Sequence, residues 1–140
     1  MYERKLANHT TKNAVILSVE EDITKSKPQT ITLRSYDTIV IDLYHDYEKT
    51  IIYALNTFEW SNTTIKHIGW FLKQINSILD TDLCYYDLKF MAIEKGFKLI
   101  IEPERSYYYD DCTGEIIIRD SATIEYAAKH KFERREFSKD

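Results

Sequence analysis

The fold is decided by the stretch Ser61-Asn62-Thr63-Thr64-Ile65-Lys66-His67-Ile68-Gly69-Trp70-Phe71-Leu72, where a β-rich segment gives way to a helix. Ser61 or Asn62 is a good N-cap, because a short side-chain oxygen can accept a hydrogen bond from a free helix N–H. Apolar side chains then recur every three or four residues in one stripe made of Ile65, Ile68, Leu72, Ile75 and Leu79. The pattern predicts an amphipathic helix from about Ser61 to Leu79.

The segment before this helix has the pattern of an antiparallel sheet. Thr30–Tyr36 alternates polar and apolar residues, which is typical of a half-buried strand. Thr38–Tyr44 has the same composition, and Lys49–Leu55 follows it after a polar turn. The three runs predict a three-stranded antiparallel meander. Closer to the N-terminus, Ala14–Val19 predicts another strand, and residues 1–12 predict a loose polar arm.

The second half of the chain begins with another predicted helix. It runs from about Leu83 to Lys95, after a break at Asp80-Thr81-Asp82. Its apolar face consists of Leu83, Tyr86, Phe90 and Ile93. Gly96 follows in the position where a left-handed residue often ends a helix. We therefore expect two successive helices between the meander and the C-terminal strands.

The remaining elements complete one α+β domain. Strands are predicted at Phe97–Ile101, Ser106–Tyr109 and Glu115–Arg119, of which the middle run also fits an ordered loop. A last helix is predicted from Asp120 to Lys131, and the charged tail from Glu133 is expected to fray. Residues 1–140 thus predict a single domain. In it, an antiparallel sheet (the three-stranded meander plus C-terminal strands) packs with two to three helices.

Charge and composition exclude several classes of protein. The net charge is −4, and residues 80–120 carry ten acids against five bases. A nucleic-acid-binding protein usually has a basic footprint, so direct binding to nucleic acid is not expected. No apolar run approaches the roughly 20 residues needed to span a bilayer, and Met1-Tyr2-Glu3-Arg4-Lys5 does not open a signal peptide. Two cysteines are too few for a disulfide framework, which favours a reducing cytoplasm.

Two motifs carry a resemblance to a known group of proteins. Ser35-Tyr36-Asp37-Thr38 lies on a predicted strand, and the Thr-Thr-x-x-His sequence ending at His67 begins the predicted helix. Together, over about residues 33–76, they resemble a family of small uncharacterised proteins from bacteriophages and bacterial mobile elements. The resemblance implies a phage or mobile-element origin and a bacterial host cytoplasm, and it implies no reaction. His67 itself would suit a general base or a metal ligand. We expect instead a hydrogen bond that holds the helix start against the sheet, and a core position for Tyr36.

Residues able to perform chemistry are present, but without the spacing that chemistry requires. The candidate metal ligands are Cys84, Cys112, His45, His67 and His130, and none forms a short Cys-x-x-Cys or His-x-x-x-His pair. The candidate magnesium ligands of a nuclease are Asp110, Asp111, Glu115, Glu102 and Glu104, which alternate with tyrosine and turn residues. The chain has three isolated glycines and no phosphate-binding loop. We expect no catalytic residue, no metal and no cofactor.

The acidic, tyrosine-rich segment fits a partner surface, and it equally fits an ordinary edge strand followed by a polar turn. Tyr107, Tyr108 and Tyr109 lie beside Asp110 and Asp111, and rings next to carboxylates suit a basic protein partner. The start of the first helix offers an alternative partner surface, made of Asn62, Lys66 and Trp70.

We therefore expect a protein that binds a host protein without catalysis. The partner expected from the acidic surface is a nucleic-acid-handling enzyme, as for anti-defence inhibitors of the anti-CRISPR type. Two alternatives stay open at this point. One is a small metal-dependent enzyme such as a nuclease, and the other is an oligomeric accessory protein.

Overall fold

The computed structural model describes residues 2–6, 13–93 and 96–129 of the chain. Within them, an eight-stranded antiparallel sheet packs with three helices, so the predicted α+β class is confirmed. The strands are β1 (Tyr2–Lys5), β2 (Ala14–Ser18), β3 (Gln29–Ser35), β4 (Thr38–His45), β5 (Thr50–Ala54), β6 (Phe97–Ile101), β7 (Ser106–Asp110) and β8 (Ile116–Ile118). The helices are α1 (Asn62–Leu79), α2 (Tyr85–Ile93) and α3 (Ser121–Lys129), and a short 3-10 helix (Thr57–Glu59) precedes α1.

The strands follow one another in the sheet in the order of the sequence, from β1 to β8. The predicted meander is β3, β4 and β5, with Ile31 opposite Leu43 and Leu43 opposite Ile52. The connection from β5 to β6 is long because it contains α1 and α2, and it places Thr50 opposite Ile101.

The two faces of the sheet differ because strand side chains alternate. One face is covered by the helices and forms the core, and it includes Ile31, Leu33, Ile41, Leu43, Ile52, Leu99 and Tyr108. The opposite face carries Tyr44, Tyr53, Lys98, Tyr109, Ile116 and Ile118, all exposed or half-buried. None of the described helices packs on that second face, which we call the open face.

Helix α1 confirms the pattern that predicted it. The Ser61 side chain accepts a hydrogen bond from the Thr64 N–H at 3.1 Å, so Ser61 is the N-cap. Four side chains of the predicted stripe are buried, namely Ile68, Leu72, Ile75 and Leu79, and the adjacent Phe71 is buried with them. Ile65 is half-buried. The helix ends at Asp80, whose φ of 60° is left-handed.

The structure corrects the prediction for the N-terminal residues and the start of the second helix. The expected loose arm is wrong for Tyr2–Lys5, which form β1 because their backbone pairs with the apolar strand β2, with Arg4 opposite Ile16. The second helix begins at Tyr85, and Leu83 is buried just before it. Ser106–Asp110 is a strand, not a loop. The predictions for residues 7–12, 94–95 and 130–140 lie outside the described residues.

Candidate partner-binding site

A buried hydrogen-bond network fixes the start of α1 to the end of β3. The Ser35 hydroxyl lies 2.8 Å from His67 Nδ1 and 3.0 Å from the Thr64 hydroxyl. The Thr64 hydroxyl also accepts a hydrogen bond from Ser61 Oγ at 3.2 Å. His67 is fully buried, and Ser35 and Thr64 are nearly so. The network confirms the structural role expected for His67, since it binds the helix start to the sheet.

Tyr36 follows Ser35 directly, its ring lies beside that of His67, and its backbone conformation is strained. Its φ is 55°, a left-handed value that is uncommon for a bulky residue. It occupies the first position of the two-residue turn between β3 and β4, and its N–H donates to the Asn13 carbonyl at 2.6 Å. The side chain is 46% exposed, so the expected core position for Tyr36 is wrong. Alternation along β3 buries residues 29, 31, 33 and 35, so residue 36 follows on the half-exposed side.

The rings of Tyr36, His67 and Trp70 are neighbours. The Tyr36 and His67 centroids are 5.8 Å apart, and the His67 and Trp70 centroids are 6.4 Å apart. Asn62 and Lys66 are exposed, and their spacing of four residues places them with Trp70 along one side of α1. We call Tyr36, Asn62, Lys66 and Trp70 the helix-start surface. The structure thus adds Tyr36 to the alternative partner surface expected from the sequence.

The tyrosine-rich strand β7 divides its residues between the two faces of the sheet. Tyr108 points into the core, is fully buried, and donates a hydrogen bond from its hydroxyl to the Asp87 carbonyl at 3.0 Å. Its expected role as a partner contact is therefore wrong for the folded protein, because strand side chains alternate and Tyr108 takes the helix side. Tyr107 and Tyr109 lie on the open face. Burial and the Asp87 carboxylate raise the pKa of Tyr108.

Cations and carboxylates surround the two tyrosines on the open face. Lys98 Nζ lies 5.1 Å from the Tyr109 ring centroid and 2.7 Å from the Asp111 carboxylate, whose hydrogen bond raises the pKa of Lys98. The Arg105 guanidinium lies 4.5 Å from the Tyr107 ring centroid. Tyr107 is only 8% exposed. We call Tyr107, Tyr109, Asp111, Lys98 and Arg105 the tyrosine surface, and its role in partner binding stays a prediction.

Three of the five carboxylates considered for a nuclease, Asp110, Asp111 and Glu102, are used in local structure. Asp110 accepts hydrogen bonds from the N–H groups of Cys112 and Thr113, at 2.8 and 3.3 Å, and the first of these lowers its pKa most. Glu102 forms an ion pair with Arg105 at 3.6 Å. Among the described residues, no group of three or more His, Cys, Asp or Glu side chains is arranged to hold a metal. His130 lies outside them.

One buried ion pair was not expected from the sequence. Arg119 Nε and Nη2 donate to the two Asp87 carboxylate oxygens at 2.6 and 3.0 Å, and the Cys84 N–H donates to Asp87 at 2.9 Å. Arg119 also contacts Asp82 on the surface at 3.2 Å. The pair fastens the end of β8 to the start of α2. No sequence signal links Asp87 to Arg119, since they lie on separate elements.

Fold and surfaces together define an α+β protein with polar–aromatic surfaces and no recognisable reaction centre among the described residues. The chain belongs to a family of unknown function (DUF8033), which matches residues 4–85. The matched region contains β2 to β5, α1 and the whole helix-start surface, whereas the tyrosine surface lies beyond it. No curated protein and no solved structure matches the chain. None of the described helices is long and apolar enough to cross a membrane.

Proposed function

We propose that this protein works by binding another protein, without catalysis, through the helix-start surface. The observation that carries the proposal is the strained, half-exposed Tyr36 beside the buried Ser35–His67 hydrogen bond. A left-handed non-glycine residue costs about 1–3 kcal/mol and persists where the surrounding structure enforces it, often at a binding site. Here the surroundings enforce the exposure of an aromatic ring.

The network beneath the surface makes the proposed contact rigid. Ser35, the residue before the Tyr36 turn, is hydrogen-bonded to the first turns of α1, so the backbone that carries Tyr36 is fixed to the helix that carries Trp70. A surface that is ordered before binding loses less entropy when the partner arrives. Tyrosine and tryptophan are enriched among the residues that dominate interface energies. Lys66 adds an exposed cation at the same surface.

The biological setting is part of the proposal. The resemblance of residues 33–76 to phage and mobile-element proteins supports a role in a bacterial host cytoplasm, with a host protein as the partner. A nucleic-acid-handling enzyme as partner, and therefore an anti-defence role of the anti-CRISPR type, is the specific form that we propose. The acidic segment between residues 80 and 120 supports it, because such enzymes present basic surfaces. The tyrosine surface is then a second contact region.

The test compares the wild type with three variants of the full chain as affinity baits. Tyr36→Asn removes the ring, and asparagine tolerates left-handed backbone, so the turn is retained. Lys66→Ala removes the cation. The control is Tyr47→Asn, because Tyr47 is 71% exposed on the turn between β4 and β5 and lies near the C-terminal end of α1, not near its start. After a bacterial protein captured by the wild type is identified and purified, its affinity is measured by calorimetry.

We expect Tyr36→Asn to weaken binding by at least tenfold, as for a residue that contributes strongly to an interface, and Tyr47→Asn to leave it unchanged. Equal affinity for wild type and Tyr36→Asn would remove the helix-start surface from the proposal. Loss of affinity in a Lys98→Ala variant instead would assign binding to the tyrosine surface. Failure of the wild type to bind any host protein would refute the binding function.

A further inference from the structure

The two edges of the sheet are protected differently. The β1 edge carries Glu3, Arg4 and Lys5, and charged side chains on an edge strand discourage pairing with another chain. The β8 edge consists of Ile116-Ile117-Ile118 and carries no charge. Ile116 is 48% and Ile118 54% exposed on the open face. An apolar edge strand with free backbone groups is suited to the addition of another strand.

The outward-facing backbone groups of β8 follow from its pairing with β7. The Glu115 carbonyl accepts from the Asp110 N–H at 2.9 Å, and the Arg119 N–H donates to the Ser106 carbonyl at 3.1 Å. Antiparallel pairing alternates, so residue 117 also faces β7, whereas the groups of Ile116 and Ile118 face outward. The Ile118 carbonyl accepts from the Thr123 hydroxyl at 2.9 Å, which agrees with its outward direction and leaves it one lone pair.

We propose that β8 pairs with β8 of a second copy of this chain, antiparallel and centred on Ile117. In this register, Ile116 of each copy is opposite Ile118 of the other. Both residues have outward N–H and C=O groups, so the strand complements itself about a two-fold axis. The two eight-stranded sheets then become one continuous sheet.

Side chains on both faces fit the same register. Along the open face, the row Lys98–Tyr109–Ile116 continues into Ile118 and Tyr107 of the second copy, so the half-exposed isoleucines contact each other between tyrosines. On the helix face, the two copies of Ile117 are opposite each other. Glu115 is opposite position 119 of the second copy, just before the N-terminus of its α3. A carboxylate is favoured there by the helix dipole.

The conformation of the β8 edge is fixed before pairing. Arg119, which follows β8 directly, is anchored by Asp87 in the core, and Thr123 holds the Ile118 carbonyl. These contacts fix the C-terminal end of a strand of three residues before it meets its partner, which lowers the entropy lost on association. Because the strand is short, we expect a reversible dimer with a micromolar dissociation constant.

The first test is sedimentation velocity of the full chain over a roughly hundredfold range of concentration, because dimer formation follows mass action. The wild type should shift from monomer to dimer, and Ile118→Lys should weaken the dimer by at least tenfold. Tyr2→Lys is the matched control on the β1 edge, where Tyr2 is 47% exposed, and it should dimerise like the wild type. A wild type that stays monomeric throughout, or a dimer unaffected by Ile118→Lys, would overturn the proposal.

The second test reads the register. In a background with Cys84→Ser and Cys112→Ser, which removes both exposed native thiols, Ile117→Cys should form a disulfide-linked dimer on mild oxidation. Residues opposite each other in a non-hydrogen-bonded pair have Cα atoms about 4.5 Å apart, which a disulfide can span. Tyr2→Cys in the same background should stay monomeric. Cross-linking through Tyr2→Cys with none through Ile117→Cys would place the contact at the wrong edge and refute the inference.

Discussion

Replacement of Arg119 by methionine is the sharpest test of what holds the C-terminal part of the sheet to the helices. Asp87 is fully buried, and Arg119 is only 8% exposed in its side chain. Arg119→Met keeps the length of the aliphatic stem but removes both charge-assisted hydrogen bonds, at 2.6 and 3.0 Å. The Asp87 carboxylate then keeps the Cys84 N–H and the more distant Tyr108 hydroxyl as its neighbours.

The size of the effect follows from the desolvated carboxylate that remains. Breaking a buried ion pair by removing one partner typically costs about 3–5 kcal/mol, because the remaining charge is uncompensated. We expect that loss in the free energy of unfolding for Arg119→Met, measured by urea denaturation followed by circular dichroism. The double variant Asp87→Leu/Arg119→Met removes both charges and should recover most of that loss, because replacing both partners of a buried ion pair by apolar residues is often neutral.

Two results would refute this reasoning. A loss below about 1 kcal/mol in Arg119→Met would mean that water or another cation compensates Asp87, as at an exposed pair. A double variant that is less stable than Arg119→Met would mean that the pair acts through packing and not through charge. Lys25→Met is the control, because the Lys25–Asp80 pair is exposed on both sides and separated by 3.9 Å, so its removal should change stability by less than about 1 kcal/mol.

Three further predictions concern other parts of the fold. Leu72→Ala should lower the free energy of unfolding by about 2–5 kcal/mol, because the side chain is buried against the sheet, and chemical denaturation measures it. Ser35→Ala should cost about 1–3 kcal/mol in the same assay by leaving His67 Nδ1 without its hydroxyl partner, and a smaller loss would contradict the network. Backbone N–H groups, that of Cys112 first, lower the pKa of Asp110 in the folded protein below its ordinary value of 3.8. The ionised Asp110 carboxylate therefore stabilises the fold above pH 3.8, and this contribution is lost as the pH falls through the lower pKa of the folded state. Asp110→Asn should therefore lose less stability than the wild type on acidification below about pH 4, whereas parallel curves would show that Asp110 contributes nothing.

Local pattern was enough to predict most elements of the fold. The N-cap at Ser61, the apolar stripe ending at Leu79 and the alternation of β3 each depend on neighbours within a few residues, and all three are confirmed. Gly96 has the left-handed φ of 89° that its position indicated. The strand β1 escaped prediction because a polar run becomes a strand only when an apolar neighbour such as β2 offers backbone partners.

The surfaces were harder to predict because they depend on tertiary contacts. Alternation along β7 implied that three adjacent tyrosines could not share a face, but it did not say that Tyr108 would be the buried one. The backbone at Tyr36 forms a left-handed turn that its sequence, without glycine or asparagine at that position, did not indicate. The Asp87–Arg119 pair joins α2 to the residue after β8, and no spacing in the sequence indicates that these two residues contact each other.

The sequential order of the strands has a consequence for the rate of folding. Each strand from β2 to β8 pairs with the strand immediately before it in the sequence, and among the described residues only the connection from β5 to β6 contains α-helices, so most of the sheet can form by closing short loops. Such local contacts speed folding relative to β proteins that have distant pairings. The β5–β6 pairing is the exception, because α1 and α2 lie between its strands, and joining distant segments requires more loop-closure entropy. We expect a transition state in which β2 to β5 are paired and β6 is not yet paired with β5. Substitutions at the Ile52–Leu99 contact should then accelerate unfolding and leave the refolding rate nearly unchanged.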